Sequence, residues 1–314
     1  MPSWSMRSAM VTGGNGFIGR HLVSALRRRG VAVTTLGRTP PIDATDATHV
    51  ALEGSWDSGA LDRALEQCAP DCIFHLAGRA RGTPDELTHA NVDLMISLVQ
   101  ALTRTGLRAK LVVAGSAAEY GSAIRDGEPI GETSVGVPLS EYGAVKLAQT
   151  CVALDHAQTT GRPVLVARIF NPLGAHMPAH LAIGDFAAQI GGMPRSGGTL
   201  RVGNIDVRRD MIDVEHVATL LCDLAENPFA CGVVNLCSGE APRLRDLVAM
   251  LIEGFGRKVS IEADQDRVRG NELRTIVGSV DRLARLARLP PPTDFPAVIA
   301  RVCRGAEQSA ALRT

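Results

Sequence analysis

Short aliphatic runs alternate with amphipathic segments along most of the chain, and this alternation predicts its secondary structure. The aliphatic runs predict strands at residues 9–11, 31–36, 72–76, 110–114, 164–169 and 233–237. The amphipathic segments predict helices at residues 17–29, 61–67, 88–105, 142–158 and 244–255. Nearly continuous aliphatic strands, each followed by a helix, are typical of a parallel sheet that is covered on both faces. The pattern therefore predicts an α/β fold with a doubly wound parallel sheet.

The regular alternation ends near Gly174, after which glycine pairs and a proline run interrupt the chain. We expect residues 7–174 to form a main lobe. Residues from about 206 to 240 are expected to rejoin it, because the run at 233–237 has the pattern of a last strand of the same sheet. Residues 175–205 and 241–314 are then expected to form a smaller C-terminal α/β lobe.

Composition and charge exclude several classes of protein. The formal net charge is +0, so no general attraction to nucleic acid or to an anionic membrane is expected. No apolar run approaches the roughly 20 residues that span a bilayer, and the first residues lack the apolar stretch of a signal peptide. The seven cysteines form no Cys-x-x-Cys pair, so free thiols in the cytoplasm are expected. His176 and His180 lie near no third ligand, and no metal is predicted.

A glycine-rich turn follows the first predicted strand and precedes the first predicted helix. Gly13, Gly16 and Gly19 are spaced Gly-x-x-Gly-x-x-Gly. Such a turn is tight, and it lets the backbone approach a pyrophosphate, which the helix N-terminus then stabilises. The context predicts dinucleotide binding on a Rossmann-type sheet. The residues expected to contact the dinucleotide here are Gly13, Asn15, Gly16, Phe17, Ile18 and Gly19.

The end of the second strand bears on the choice of dinucleotide. NAD enzymes of this fold usually place an acid there to hold the adenosine ribose. This chain has Arg38 instead, which favours NADP(H) because a guanidinium can bind the 2′-phosphate. NAD(H) remains the second option, since Arg38 can also be a solvated loop residue. The strand at 72–76 ends in the segment Leu76, Ala77 and Gly78. Small residues in this segment are expected to let the backbone lie against the cofactor.

Tyr142 and Lys146 lie four residues apart on a predicted helix, so that both side chains lie on one face. Taken alone, such a pair is commonly a surface feature, but Ser116 follows the strand at 110–114, at the sheet edge where ligands bind. A phenol has a pKa of about 10 and needs a nearby cation to exchange protons at neutral pH. We expect Lys146 to lower the pKa of Tyr142, and Ser116 to hydrogen-bond the substrate oxygen. These three roles suit hydride transfer.

The motifs resemble, in order, those of the extended short-chain dehydrogenase/reductases of the NAD-dependent epimerase/dehydratase family, which act on nucleotide-diphosphate sugars. They lie at residues 12–19, 116–121, 142–146, 168–174, 208–214, 234–239 and 269–272. The resemblance implies substrate contacts at Ser116, Glu119, Asn171, Arg209 and Arg269. It also places Ser55 and Trp56 near the adenine, although Trp56 can equally belong to the core. The main lobe would then bind NADP(H) and the smaller lobe the nucleotide sugar.

Within the family, the segment at 115–121 is most similar to that of the GDP-4-keto-6-deoxy-mannose reductases, which implies NADPH-dependent reduction of a C4 ketone. Dehydratases of the family have an acidic pair where this chain has Ala117 and Ala118. A nucleotide-sugar 4-epimerase with bound NAD is the alternative, because it needs only the serine, tyrosine and lysine. A non-catalytic NADP(H) sensor is the remaining one. The family also implies a homodimer through the helices at 88–105 and 142–158.

Overall fold

The computed structural model describes residues 5–40, 47–52, 56, 58–264 and 273–311. In chain order, the first part contains β1 (Ser8–Thr12), α1 (Phe17–Arg28), β2 (Ala32–Gly37), β3 (Thr48–Ala51), α2 (Ser58–Cys68), β4 (Cys72–His75), α3 (Pro84–Thr88), α4 (Leu94–Thr105), β5 (Lys110–Ser116), β6 (Pro129–Ile130), α5 (Glu141–Thr160) and β7 (Val164–Ile169). The rest contains β8 (Asn171–Leu173), α6 (Ala182–Gly192), β9 (Gly198–Val202), β10 (Arg208–Arg209), β11 (Met211–Asp213), α7 (Val214–Glu226), β12 (Gly232–Leu236), α8 (Leu244–Phe255), β13 (Val259–Ala263), β14 (Thr275–Gly278), α9 (Asp281–Leu286) and α10 (Phe295–Ala311). No helix in this described part is long and apolar enough to cross a membrane.

Seven parallel strands form the central sheet, in the order β12-β7-β5-β4-β1-β2-β3. The chain runs outward from β1 through β2 to β3, then returns to β4 on the other side of β1. The order therefore reverses between β1 and β4, and ligands bind at the carboxyl ends of the strands at such a reversal. This arrangement confirms the predicted α/β doubly wound fold, including the return of the run near residue 233 as the edge strand β12.

The strands are apolar on both faces because helices cover both. All of β4 and all of β7 are buried, which explains why the sequence shows continuous aliphatic runs there rather than alternation. One face packs against α1 and α7, with a core that includes Leu22, Phe74 and Leu221. The other face packs against α2, α4 and α5, with Leu61, Leu98 and Ala153 in its core.

A separate hydrophobic core lies in the C-terminal half and is built by α6, α8 and α10 around the strands β9 and β13, which pair in parallel. Ile190, Leu251 and Val302 are typical members and are fully or nearly fully buried. Leu283 of α9 packs instead into the core beneath α1 and α7. Part of the segment 241–314, which the sequence assigned to the smaller lobe, thus lies against the main sheet.

The predicted helix at 88–105 is not continuous. A capping box formed by Thr83 and Glu86 starts α3, a π-helical turn spans His89–Asp93, and α4 follows. Asn91 in this turn is buried and donates hydrogen bonds from Nδ2 to the carbonyl oxygens of Leu87 and Arg79. A π turn inside an α-helix is common at functional sites, and this one faces the end of β4, because a Cβ on Gly78 would lie 2.6 Å from Asn91 Oδ1.

Candidate active site

The glycine turn between β1 and α1 is closed so tightly that side chains do not fit. Gly13 has a φ of +71°, and a Cβ there would lie 2.7 Å from the Ala77 nitrogen. A Cβ on Gly19 would lie 2.1 Å from the Gly13 carbonyl oxygen. Helix α1 begins at Phe17 without a side-chain cap and without an acid in its first turn. The turn is therefore a cradle that backbone atoms line, and it suits a pyrophosphate.

The loop that carries Arg38 lies beside this turn. Thr12 pairs with Leu36 in the sheet, so β1 and β2 end at the same edge. Asn15 Nδ2 donates to the Thr39 carbonyl at 2.9 Å and to the Pro40 carbonyl at 2.9 Å. The Arg38 side chain is exposed. Asn15 and the loop that carries Arg38 thus lie at the same edge of the sheet, where the sequence predicts the adenosine phosphate.

The end of β4 closes the cradle on its other side. Thr12 Oγ1 accepts a hydrogen bond from the Ala77 nitrogen at 3.2 Å and lies 3.0 Å from His75 Nδ1. Leu76 and Ala77 are half-buried, and Gly78 is exposed. The half-buried Trp56 ring meets the His75 ring edge-on at 5.8 Å and packs partly onto the core. Ser55 lies outside the described residues.

Ser116, Tyr142 and Lys146 come together where β5 ends against the first turns of α5. Ser140 caps α5 by accepting a hydrogen bond from the Gly143 nitrogen at 3.1 Å. Burial raises the pKa of Tyr142, a hydrogen bond with Ser116 lowers it, and the Glu119 carboxylate adds to the rise. The sequence led us to expect a pKa lowered by Lys146. The structure gives the opposite direction, because desolvation of the phenolate dominates.

Lys146 is buried and donates hydrogen bonds to the Ala114 carbonyl and to Gln149 Oε1. Burial lowers the pKa of Lys146 to about 8, while the Glu119 carboxylate acts in the other direction. His75 is also buried, and burial together with the Lys146 cation lowers the pKa of His75 to about 3. His75 is therefore neutral, and Lys146 supplies the positive charge between the ends of β4 and β5.

Glu119, which the resemblance implied as a substrate contact, is buried among protein groups in the structure. Its side chain is 0% exposed. Oε1 accepts from the Ser116 nitrogen at 2.7 Å, and Oε2 accepts from Thr150 Oγ1 at 2.9 Å and from Arg168 Nε at 2.8 Å. The three hydrogen-bond donors stabilise the charged carboxylate in its buried position more than exposure to a solvated ligand would.

Asn171 and Arg209, two of the substrate contacts that the resemblance implies, lie together beside the main sheet. Asn171 on β8 donates to the Asp210 carbonyl at 2.7 Å. Arg209, the residue before Asp210, donates to the Leu273 carbonyl at 3.0 Å. Arg269 lies outside the described residues. Asn171 and Arg209 are both half-buried, so part of each side chain is open to solvent.

Two buried polar groups near the cradle were not predicted. Neither His75 Nε2 nor Asn91 Oδ1 has a hydrogen-bond partner in the described structure, although both atoms are buried. Unpaired buried polar atoms are costly and are common where a ligand completes the site. The sequence signal for His75 was its position as a polar residue at the end of the fully buried strand β4. The π turn that orients Asn91 leaves no comparable trace in the sequence. The cradle and these atoms fit a dinucleotide.

Comparisons with known proteins agree with this geometry. The profile of the NAD dependent epimerase/dehydratase family matches residues 9–237. GDP-6-deoxy-D-mannose reductase of Pseudomonas aeruginosa is 31% identical, with 87% of this chain and 88% of the relative covered. The dTDP-6-deoxy-L-talose 4-dehydrogenase (NAD(P)(+)) of Kitasatospora kifunensis is 33% identical over 78% of each chain. The structure of RMD from Pseudomonas aeruginosa complexed with NADPH superposes with a TM-score of 0.81 at 26% identity, covering 97% of this chain and 98% of that one. UDP-glucose 4-epimerases match as well.

Proposed function

The chain belongs to the NAD dependent epimerase/dehydratase family, and on that premise we propose that it reduces the C4 ketone of a nucleotide-diphosphate 4-keto-6-deoxy sugar with NADPH. The conversion of GDP-4-keto-6-deoxy-mannose to GDP-rhamnose is the type of reaction we propose. One observation carries the proposal: the Tyr142 hydroxyl is hydrogen-bonded to Ser116 at the end of β5, in a setting that raises its pKa. A protonated phenol beside a second hydroxyl is what a ketone needs when its oxygen becomes an alkoxide.

Each of the three side chains has a separate role in the proposed reduction. When bound, NADPH supplies the hydride. Tyr142 holds its proton until the substrate oxygen gains negative charge, and then donates it. Ser116 donates a hydrogen bond to the same oxygen and keeps it in line with the phenol. Lys146 is mostly protonated at neutral pH, since its pKa is about 8, and its charge stabilises the phenolate that Tyr142 becomes.

The proposed ligand contacts follow the edge of the sheet. Backbone groups of Gly13, Gly16 and Gly19 would hold the cofactor pyrophosphate, because the turn is too tight for a side chain at Gly13 or Gly19. Arg38 would bind the 2′-phosphate. Asn171 and Arg209 would hold the nucleotide diphosphate of the sugar. The remaining contacts that we propose along the cofactor are those of Asn15, Phe17, Ile18, Trp56, Leu76, Ala77 and Gly78.

The relatives support reduction over dehydration. Both reductase-type relatives are named for enzymes of 6-deoxy sugar nucleotides. The short 3₁₀ turn Ala117–Glu119 follows Ser116, and its only acid is the buried Glu119. Ala117 and Ala118 have no side chain that can move a proton, so the C5–C6 elimination of a dehydratase has no acid or base here. A plain ketone reduction needs no second acid or base besides Tyr142, which donates the proton.

The direct test measures NADPH oxidation with GDP-4-keto-6-deoxy-mannose and analyses the product. Tyr142→Phe is expected to lower kcat by at least about a hundredfold, the scale of a positioned general acid. Tyr120→Phe is the matched control, since Tyr120 is the other tyrosine of the chain and its hydroxyl bonds Asn235 Oδ1 at 2.7 Å. That variant is expected to lose stability and to keep most of its turnover. Near-normal turnover by Tyr142→Phe would contradict the proposal.

A nucleotide-sugar 4-epimerase is the second candidate, because UDP-glucose 4-epimerases also match the chain. Such an enzyme would retain NAD through purification and would interconvert the 4-hydroxyl epimers without net consumption of NADPH. Analysis of the nucleotide released from denatured protein, together with incubation of UDP-glucose in the absence of added cofactor, separates the two functions. Released NAD with formation of the 4-epimer would favour the epimerase.

A further inference from the structure

Glu119 is a buried carboxylate that contacts three different elements around the reaction centre. Its Oε1 accepts from the Ser116 nitrogen at the end of β5. Its Oε2 accepts from Thr150 on α5 and from Arg168 on β7. The Glu119 and Arg168 side chains are 0% and 5% exposed. An ion pair so deeply buried must be held in good geometry to repay its desolvation.

Thr150 links this carboxylate to the helix face that carries the reacting groups. It lies four residues after Lys146 on α5, so that the two side chains are neighbours on one face. A Cβ on Gly143, the residue after Tyr142, would lie 2.5 Å from the Ala118 carbonyl oxygen, so α5 packs directly on the 3₁₀ turn. A Cβ on Gly115 would lie 2.8 Å from Glu119 Oε1. The space at the end of β5 is thus shaped around the carboxylate.

We propose that Glu119 is a positioning residue, whose carboxylate fixes Ser116 on β5 relative to the face of α5 that carries Tyr142 and Lys146. The capping box of the 3₁₀ turn makes the link direct: Ser116 Oγ accepts from the Ala118 nitrogen at 3.2 Å while its own nitrogen is held by Glu119. This inference rests on the proposed function in so far as Ser116, Tyr142 and Lys146 carry the reaction. It names a residue that touches neither substrate nor cofactor.

The charge of Glu119 acts on the same groups. The charged and titratable groups that face it are Arg168 on β7 and Tyr142 and Lys146 on α5. Its negative charge raises the pKa of Tyr142 and opposes the lowering of the pKa of Lys146. Both effects favour the protonated forms, which are the forms that a ketone reductase uses. His75, the other group beside Lys146, is neutral.

The two tyrosines of the chain allow a test that needs no substrate. With tyrosine labelled at the ring carbon that bears the hydroxyl, NMR gives two resonances, and Tyr142→Phe assigns them. Glu119→Gln is expected to move the titration of Tyr142 to lower pH. In the NADPH assay it is expected to lower kcat about 10- to 100-fold with little change in KM, since small misplacements of reacting groups have effects of this size. The alkaline limb of the kcat profile should also move to lower pH.

An unchanged Tyr142 titration and an unchanged kcat in Glu119→Gln would overturn the proposal. Lys110→Met is the matched control for stability. Lys110 begins β5 and donates from Nζ to the Leu224 and Asn227 carbonyls, so its loss removes a buried charge far from Ser116. It is expected to lower Tm and to leave the Tyr142 titration unchanged. A Tyr142 shift of equal size in this control would mean that Glu119 acts only through stability, and would also overturn the proposal.

Glu119→Gln removes one member of a buried ion pair, which can prevent folding. In that case Thr150→Val tests the proposal. This variant keeps the side-chain volume and removes only the hydroxyl that donates to Glu119 Oε2. A lower kcat that Thr150→Ser restores would support the proposal, and an unchanged kcat in Thr150→Val would overturn it. If no 4-keto sugar nucleotide is a substrate, the proposed function fails while the Tyr142 titration still tests the position of Glu119.

Discussion

The substitution Gly19→Ala tests the dinucleotide cradle with the smallest available change. The added Cβ would lie 2.1 Å from the Gly13 carbonyl oxygen and 2.9 Å from both the Gly13 carbonyl carbon and Gly14 Cα. Carbon atoms in contact prefer about 3.5–4.0 Å. All three contacts are backbone atoms, so no side chain can rotate away. Helix α1 and the turn must therefore separate by about 1 Å or more.

The separation moves the helix N-terminus away from the phosphates that it would stabilise. Misplacement by about 1 Å can cost about a hundredfold in the function of a site, so we predict that Gly19→Ala raises the Kd for NADPH by at least about tenfold. Overpacking of this kind also costs about 1–3 kcal/mol of unfolding free energy. Titration of NADPH fluorescence gives the Kd, and thermal unfolding gives the stability.

Gly192→Ala is the matched control. Gly192 lies at the end of α6, has no heavy atom within 4 Å of a built Cβ, and has no positive φ. It should bind NADPH like the unchanged protein and should not be less stable, since alanine favours a helix over glycine by about 1 kcal/mol. The explanation would be refuted if Gly19→Ala kept the Kd for NADPH within about twofold, a difference of less than 0.5 kcal/mol by the affinity relation.

Three further predictions concern the cofactor, the pH dependence and the oligomer. Arg38→Ala should weaken binding of NADPH by at least about tenfold and leave NADH binding nearly unchanged, because a charge-assisted contact to the 2′-phosphate is lost. Turnover should fall as pH rises through about 8, the pKa of Lys146, because the cation is the working form. Its protonated share falls from about nine tenths at pH 7 to about one tenth at pH 9. Val152→Arg should convert a dimer into a monomer in sedimentation experiments, since Val152 lines the groove that α4 and α5 form with Ile96 and Val99.

Each of these has a control and a contrary outcome. Arg195→Ala, at another exposed arginine, should change neither cofactor, and equal losses for NADPH and NADH in Arg38→Ala would contradict the 2′-phosphate contact. A kcat profile that stays flat to about pH 10 would mean that Lys146 is not needed as a cation. Ile261→Arg, on the exposed strand β13, should leave the oligomer unchanged. Equal masses for Val152→Arg and the unchanged protein would remove α4 and α5 from the interface.

The parts of the fold that follow from local pattern could be predicted from the sequence. The glycine turn is evident from the spacing of its glycines. The runs that form β4 and β7 are continuously aliphatic, because both faces of those strands are buried. The strand β3 was missed, since Thr48–Ala51 is short and only partly buried at the sheet edge. The parallel pair β9 and β13 joins segments about sixty residues apart, and only tertiary packing brings them together.

The same division holds for the candidate site. Ser116, Tyr142 and the glycine turn are placed by strand ends and by helix spacing, which a sequence displays. The role of Glu119 depends on Arg168, which lies 49 residues further along the chain. An acid between a serine and a tyrosine has the same appearance in a sequence whether it faces a ligand or a buried guanidinium. The direction of the Tyr142 pKa likewise depends on burial, which no local pattern specifies.

The hydrogen bonds from Asn15 to the Thr39 and Pro40 carbonyls constrain any redesign of cofactor preference. Exchange of the residues after β2 for an acidic NAD-type loop with a different backbone path would also displace the two carbonyl oxygens that accept from Asn15 in the glycine turn. Such a graft would then lose NADPH without gaining NADH. A successful conversion has to keep the two carbonyl positions and vary only the residue between Gly37 and Thr39. The proposed preference for NADPH and the rigidity of the glycine turn therefore depend on the same loop.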